Sequence, residues 1–206
     1  MVLPPHWRKF ALTAHVGASV GWLGAVGAFL ILAIIGLRSL DDATIRSLYP
    51  TLDLLGTYVI VPFSIAALIT GLVQSLGTQW GVFRHYWVVA KLLLTVGASL
   101  LLLLHMQLVR SAAAAAGQGT LGVEPRFRLV ADAAAAVLVL AIAVVLSVYK
   151  PQGMTQFGIR AASSGAVRVA NATAFAYLFW LAIGAIVVAI IVRHLLGGGM
   201  QSHFSH

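Results

Sequence analysis

The stretch Tyr86-Trp-Val-Val-Ala-Lys-Leu-Leu-Leu-Thr-Val-Gly-Ala-Ser-Leu-Leu-Leu-Leu-Leu104 decides the class of fold. As a helix rising 1.5 Å per residue it is about 28 Å long, close to the hydrocarbon thickness of a bilayer. One residue breaks the pattern. Lys91 would set an ammonium among lipid tails at a cost of about 3 kcal/mol on insertion scales. It therefore has to face protein, an anionic ligand or a polar cavity. The first apolar segment carries a matching oddity, His15, a short way in from its start. Ionisable groups inside apolar helices mark functional sites by default, so the question is what these two hold.

Composition agrees with a membrane protein. Hydrophobic residues make up 61 % of the chain and charged residues 9 %, and the mean hydropathy is +0.99, where a soluble domain carries about 25 % charged residues. The absence of cysteine removes disulfides, thiolate metal sites, iron–sulfur clusters and covalently attached haem. Thirteen Lys and Arg outnumber five acids, but the bases flank apolar segments. They read as topology signals and headgroup contacts, not as a nucleic-acid surface. The apolar run after Arg8 and Lys9 is too long for a signal-peptide core and reads as a retained first span.

Five stretches are long and apolar enough to span: Phe10–Leu37, Leu54–Gly77, Tyr86–Val109, Leu129–Val148 and Val169–Val192. The expected fold is all-α, a four-helix transmembrane core with a fifth transmembrane helix over 169–196, forming a single domain over 1–206. The linkers are Arg38–Asp53, Thr78–His85, Arg110–Arg128 and Tyr149–Arg168, and Ser111–Gly119 reads as a mobile Ala/Gly loop. Pro62 falls inside the second span, where it should kink the helix and free a carbonyl. The N-terminal side carries Arg8, Lys9, Arg84, Lys150, Arg160 and Arg168. The other carries Arg38, Arg46, Arg110, Arg126, Arg128 and Arg193 with all five acids. We read the N-terminal side as cytoplasmic.

Depth places the polar residues. His15 and Lys91 each lie about 8 Å into their helices from the N-terminal side, so they can share a layer. His105 lies about 21 Å further along the third span and on the same helix face as Lys91. In the first span, His15, Ser19, Trp22, Val26 and Phe29 align on one side, and Gly17, Gly21, Gly24 and Ala28 on the other. A stripe of small residues lets a neighbouring helix backbone approach, which leaves the His15 face to another neighbour or a ligand.

Each candidate has a bland alternative. His15 reads as an axial haem ligand, a metal ligand or a histidine bonded to another helix. Trp22 and Phe29 beside it suit a flat macrocycle. Lys91 pairs with an anion or snorkels, and no acid on its side of the membrane can neutralise it. His105 and Met106 point about 100° apart on a helix, so both cannot readily hold one ion. His194, His203 and His206, with Met200, give the 197–206 tail ligands that suit copper, zinc or nickel, or they belong to a flexible terminus. No nucleophile–base motif, phosphate loop or paired carboxylates support hydrolysis or nucleotide chemistry.

The run Ala11-Leu-Thr-Ala-His-Val-Gly-Ala-Ser-Val-Gly-Trp-Leu-Gly-Ala25 resembles the first helix of HemJ-type protoporphyrinogen oxidases and of CopD-type copper-resistance membrane proteins. Val61-Pro-Phe-Ser-Ile-Ala-Ala-Leu-Ile-Thr-Gly71 resembles their second helix, and Trp87-Val-Val-Ala-Lys-Leu-Leu-Leu94 their third. Phe83 to Leu94 and the ending Leu146-Ser-Val-Tyr-Lys-Pro151 are most similar to a domain-of-unknown-function family of bacterial integral membrane proteins. The resemblance covers 10–151. It implies b-type haem in a four-helix bundle, His15 as axial ligand and Lys91 as a required site residue. His105 falls where HemJ-type proteins carry further histidines.

Three functions follow as expectations. The first is a haem-b-binding redox protein of the bacterial inner membrane, oxidising a porphyrinogen or relaying electrons to quinone. The second is a copper-handling protein using His15, His105, Met106 and the tail. The third is a cofactor-free accessory subunit, as a homo-oligomer or within a larger membrane complex.

Overall fold

The computed structural model describes residues 4–76 and 85–149. These are helical: α1 (Pro5–Arg38), α2 (Asp42–Leu55), a π-helical turn (Gly56–Ile60), α3 (Val61–Leu76), α4 (Tyr86–Gly117) and α5 (Val123–Tyr149). α2, the π turn and α3 form one continuous rod. Among the described residues, four helices are long and apolar enough to cross a membrane. The expected fifth span and the 197–206 tail with its histidines lie outside the described residues.

Two expected linkers are helix instead. Asp42–Asp53 belongs to α2, and the supposed loop Ser111–Gly119 is helical through Gly117. The reason is local. Alanine is the best helix former, so the Ala-rich run extends α4, and Ala112 and Ala116 are buried. They share a core with Ile45, Tyr49 and Leu52 of α2, which gives the extension a partner. Only Ser39–Asp41 and Gln118–Gly122 remain as connections at this end. Arg126 ties both together by donating to the Ser39 and Leu121 carbonyls.

Pro62 does perturb its helix, but in the turn before it. The Val61 N–H bonds the Gly56 carbonyl, one residue further than in an α-helix, so the register changes directly ahead of the residue that lacks an N–H. Packing is also specific. α1 lies against α3 and α5, α2 against α4, and α4 against α5. On α1 the buried residues include His15, Trp22, Val26 and Phe29, four of the five expected on that face; Ser19 is half-buried and Ala18 is buried in its turn. The glycine stripe opposite works differently from expectation. A Cβ at Gly21 would meet the Phe63 ring at 2.8 Å, while Gly17 and Gly24 face open space among the described residues. Only Gly21 admits a close neighbour, and that neighbour is a side chain.

Asp41 caps α2, accepting from the Ala43 and Thr44 amides and from the Thr44 hydroxyl. The Thr44 hydroxyl bond, followed by the Thr44 and Ala43 amide bonds, holds its carboxyl below the usual range. The cap is thus fully present above the unfolded aspartate pKa and is lost as pH falls through the lower folded value. Protection of the Ala43 and Thr44 amides, measured against their intrinsic exchange rates, should fall in that acid window and be absent at all pH in Asp41→Ala. Protection that stays constant through that window in the native chain would contradict the cap.

Candidate functional site

The site is assembled at the N-terminal end of the bundle from α1, α3 and α4. His15 is buried on α1. Its Nδ1 lies 3.1 Å from the Ala67 carbonyl and 3.2 Å from the Thr70 hydroxyl. A carbonyl can only accept, so Nδ1 carries the proton and the neutral ring presents its lone pair at Nε2. The Thr70 hydroxyl donates to the Ala66 carbonyl, which leaves its oxygen free to share the Nδ1 proton. On the far side of the ring the Lys91 ammonium stands 3.2 Å from Nε2. A protonated ring would set donor against donor there. The contact is therefore a cation donating to a neutral imidazole.

Local sequence explains the fit. Ser64, Ala67 and Gly71 repeat at helical spacing on α3, and Ser64 and Ala67 are almost wholly buried. A Cβ on Gly71 would lie 3.0 Å from His15 Cε1, so glycine admits the ring edge-on. Ala67, Thr70 and Gly71 are site residues that sequence alone does not single out. Their signal was present as small residues at i, i+3 and i+4, facing a histidine whose ring needs space and an acceptor. α4 supplies Lys91, whose own carbonyl is bonded by the Thr95 hydroxyl.

Beside the pair lies a cavity of about 300 Å³, lined by Leu12, Val16, Leu68, Gly71, Trp87 and Thr95 among others. This is the lower end of small-molecule pockets. The carboxylates with basic neighbours are elsewhere: Asp53 lies 3.9 Å from the exposed Arg110, and Asp132 Oδ2 lies 3.1 Å from His105 Nδ1. No ion pair joins Lys91 to a carboxylate among the described residues. An intramembrane cation held by one neutral acceptor can still serve an anion.

The other predicted residues go to a second place. His105 is largely buried, its Nδ1 3.1 Å from Asp132 Oδ2. It and Trp22 wall a separate cavity with Met106. So His15 and Lys91 come together, and Trp22 and His105 come together, in two different sites. Met106 does not aim at a shared ion with His105. Its Sδ and Cε crowd the backbone at Gly56, where a Cβ would sit 2.9 Å from both.

A haem was implied for the first site, and the donor set accommodates one. An imidazole that donates its other N–H to a backbone carbonyl is oriented as metal-ligating histidines are, and the cation supplies a propionate partner. Iron ligation requires Lys91 to leave Nε2. For a bare metal ion the donors are too few: no group of three His, Asp or Glu residues lies within reach of one ion among the described residues. No family model, curated protein or solved structure matches this chain.

Proposed function

We propose that the chain is a multi-pass protein of the bacterial inner membrane, N-terminus in the cytoplasm, whose His15–Lys91 site holds b-type haem. The observation that supports this is the His15 ring, locked through Nδ1–H with its Nε2 lone pair turned to a cation beside a cavity. His15 would ligate the iron. Lys91 would move to a propionate, replacing a neutral acceptor by a charged one. The bound haem would supply one-electron redox chemistry. The chain's own contribution is to orient the imidazole through Ala67, to admit it through Gly71, and to exclude water with Leu12, Val16 and Leu68. Porphyrinogen oxidation and electron relay to a quinone are the two redox roles this reading includes. Copper handling has less support, because His105 and Met106 face different partners.

The test is the absorption spectrum of the protein purified from haem-sufficient cells. A Soret band with stoichiometric haem is expected, lost in His15→Ala while helical circular dichroism is retained. Alanine is chosen because it leaves room for water to solvate Lys91. Lys91→Met should keep the ligand but weaken haem retention by roughly tenfold, as for one charge-assisted bond. A native protein without a Soret band overturns the reading in favour of a cofactor-free role. A band that survives in His15→Ala overturns the ligand assignment.

A further inference from the structure

The second polar pair sits near the opposite end of the bundle. Asp132 lies one turn inside Arg128 on α5, and His105 lies five residues inside Arg110 on α4. Both are therefore just below the layer of charged residues. The atoms His105 Nδ1 and Asp132 Oδ2 stand 3.1 Å apart, yet the contact is not aligned as a hydrogen bond. Both ring nitrogens are buried with no hydrogen-bond partner among the described residues. Buried polar atoms in folded proteins nearly always have a partner, so His105 is set up for one that the bundle does not supply.

The space beside it indicates what that partner is. His105 and Asp132 border a half-open cavity of about 110 Å³ whose other walls are apolar, among them Trp22, Phe29, Met106 and Leu140. An apolar protein cavity of about 150 Å³ accepts benzene; this one is smaller but open on one side, so a single ring seats with part of it in the opening. The π turn contributes Gly56 and Ile60 to its wall, and π turns recur at functional sites. An apolar pocket with a few convergent polar groups is how small-molecule sites are built.

The chemistry of the pair sets the polarity of the ligand. A carboxylate beside Nδ1 draws the ring proton to that nitrogen, which leaves Nε2 as a buried acceptor. An acceptor selects a hydroxyl. We propose that this cavity is an intramembrane binding site for a lipid-soluble phenol or quinol, with the ring among Trp22, Phe29 and Met106 and the hydroxyl donating to His105. Its aliphatic substituent leaves through the open side. The site is independent of the haem reading, since the two cavities share no lining residue.

The experiment compares para-heptylphenol with its methyl ether, which has the same ring and tail but no donor. Radiolabelled ligand is equilibrated with the protein in lipid nanodiscs, and empty nanodiscs correct for partition. Saturable binding of the phenol is expected, roughly tenfold tighter than the ether, the factor expected of one hydrogen bond to a buried acceptor. His105→Leu should bring the two ligands to equal affinity. Gly97→Leu provides a second variant: Gly97 lines the cavity and a Cβ there meets nothing within 4 Å. It should fill the space and abolish binding of both ligands without disturbing the helices. Equal binding of phenol and ether to the native protein would remove the role of His105. Absence of saturable binding, or binding unchanged in Gly97→Leu, would overturn the site altogether.

Discussion

His15→Leu is expected to destabilise the bundle by about 2–3 kcal/mol, the scale of a hydrogen bond to a charged group and of a lysine stranded in a membrane. Leucine fills the place of the imidazole and removes the acceptor at Nε2, so the Lys91 ammonium is left in an apolar layer without a carboxylate. Lys91→Met should cost less, about 1 kcal/mol, because it leaves only a neutral lone pair unpaired. The double variant is the decisive case. Removing both partners together can be nearly neutral, so it should recover most of what His15→Leu loses. Reversible unfolding of the four proteins in mixed micelles measures this cycle. A double variant no more stable than His15→Leu would mean that the ammonium is not the source of the loss.

The second large effect is expected at a glycine. Gly71→Val should lower stability by about 1–3 kcal/mol, as overpacking does, and should also displace the His15 ring from Ala67 and Lys91. The first added carbon already lies 3.0 Å from His15 Cε1, tighter than an ordinary contact, so the ring has to give way even though the methyls beyond can turn toward the cavity that Gly71 lines. Gly24→Val is the matched control. It carries the same β-branched change in a membrane helix, but the position faces open space among the described residues, so the shift should stay within about 0.5 kcal/mol. Unfolding midpoints of the two variants separate these outcomes. Equal effects would show that backbone propensity, and not the imidazole, decides the result at Gly71.

Residue type and depth made some of this legible in the sequence. Lys91 and His15 were visible as polar exceptions in apolar runs, and equal depth put them in one layer. Helix periodicity identified the buried face of α1 correctly. The partners of His15 were not legible, because an alanine carbonyl leaves no mark on composition and Gly71 resembles any other small residue in a membrane helix. The extensions of α2 and α4 were missed for another reason. Hydropathy reports the membrane and not the helix, so the charged turns of α2 and the alanines of α4 read as linkers once they left the apolar zone. Trp22 and His15 lie on one helix face, which in sequence suggests one site. That face is long enough to serve two cavities, and Trp22 belongs to the one with His105.

The alanine extension has a rotational consequence. α4 continues about 10 Å past Arg110 as an uninterrupted helix, so the tip at Gly119 is geared to the membrane layer below it. One residue inserted among Ala112–Ala116 turns everything beyond by about 100°, carrying that buried edge off α2. It also parts the Gly119 turn from Arg46, whose guanidinium stands 3.2 Å from where a Cβ would be. Seven inserted residues complete nearly two full revolutions, restore the phase and lift the tip by about 10 Å. Tolerance of insertions here should therefore follow the angle of the helix and not the length added.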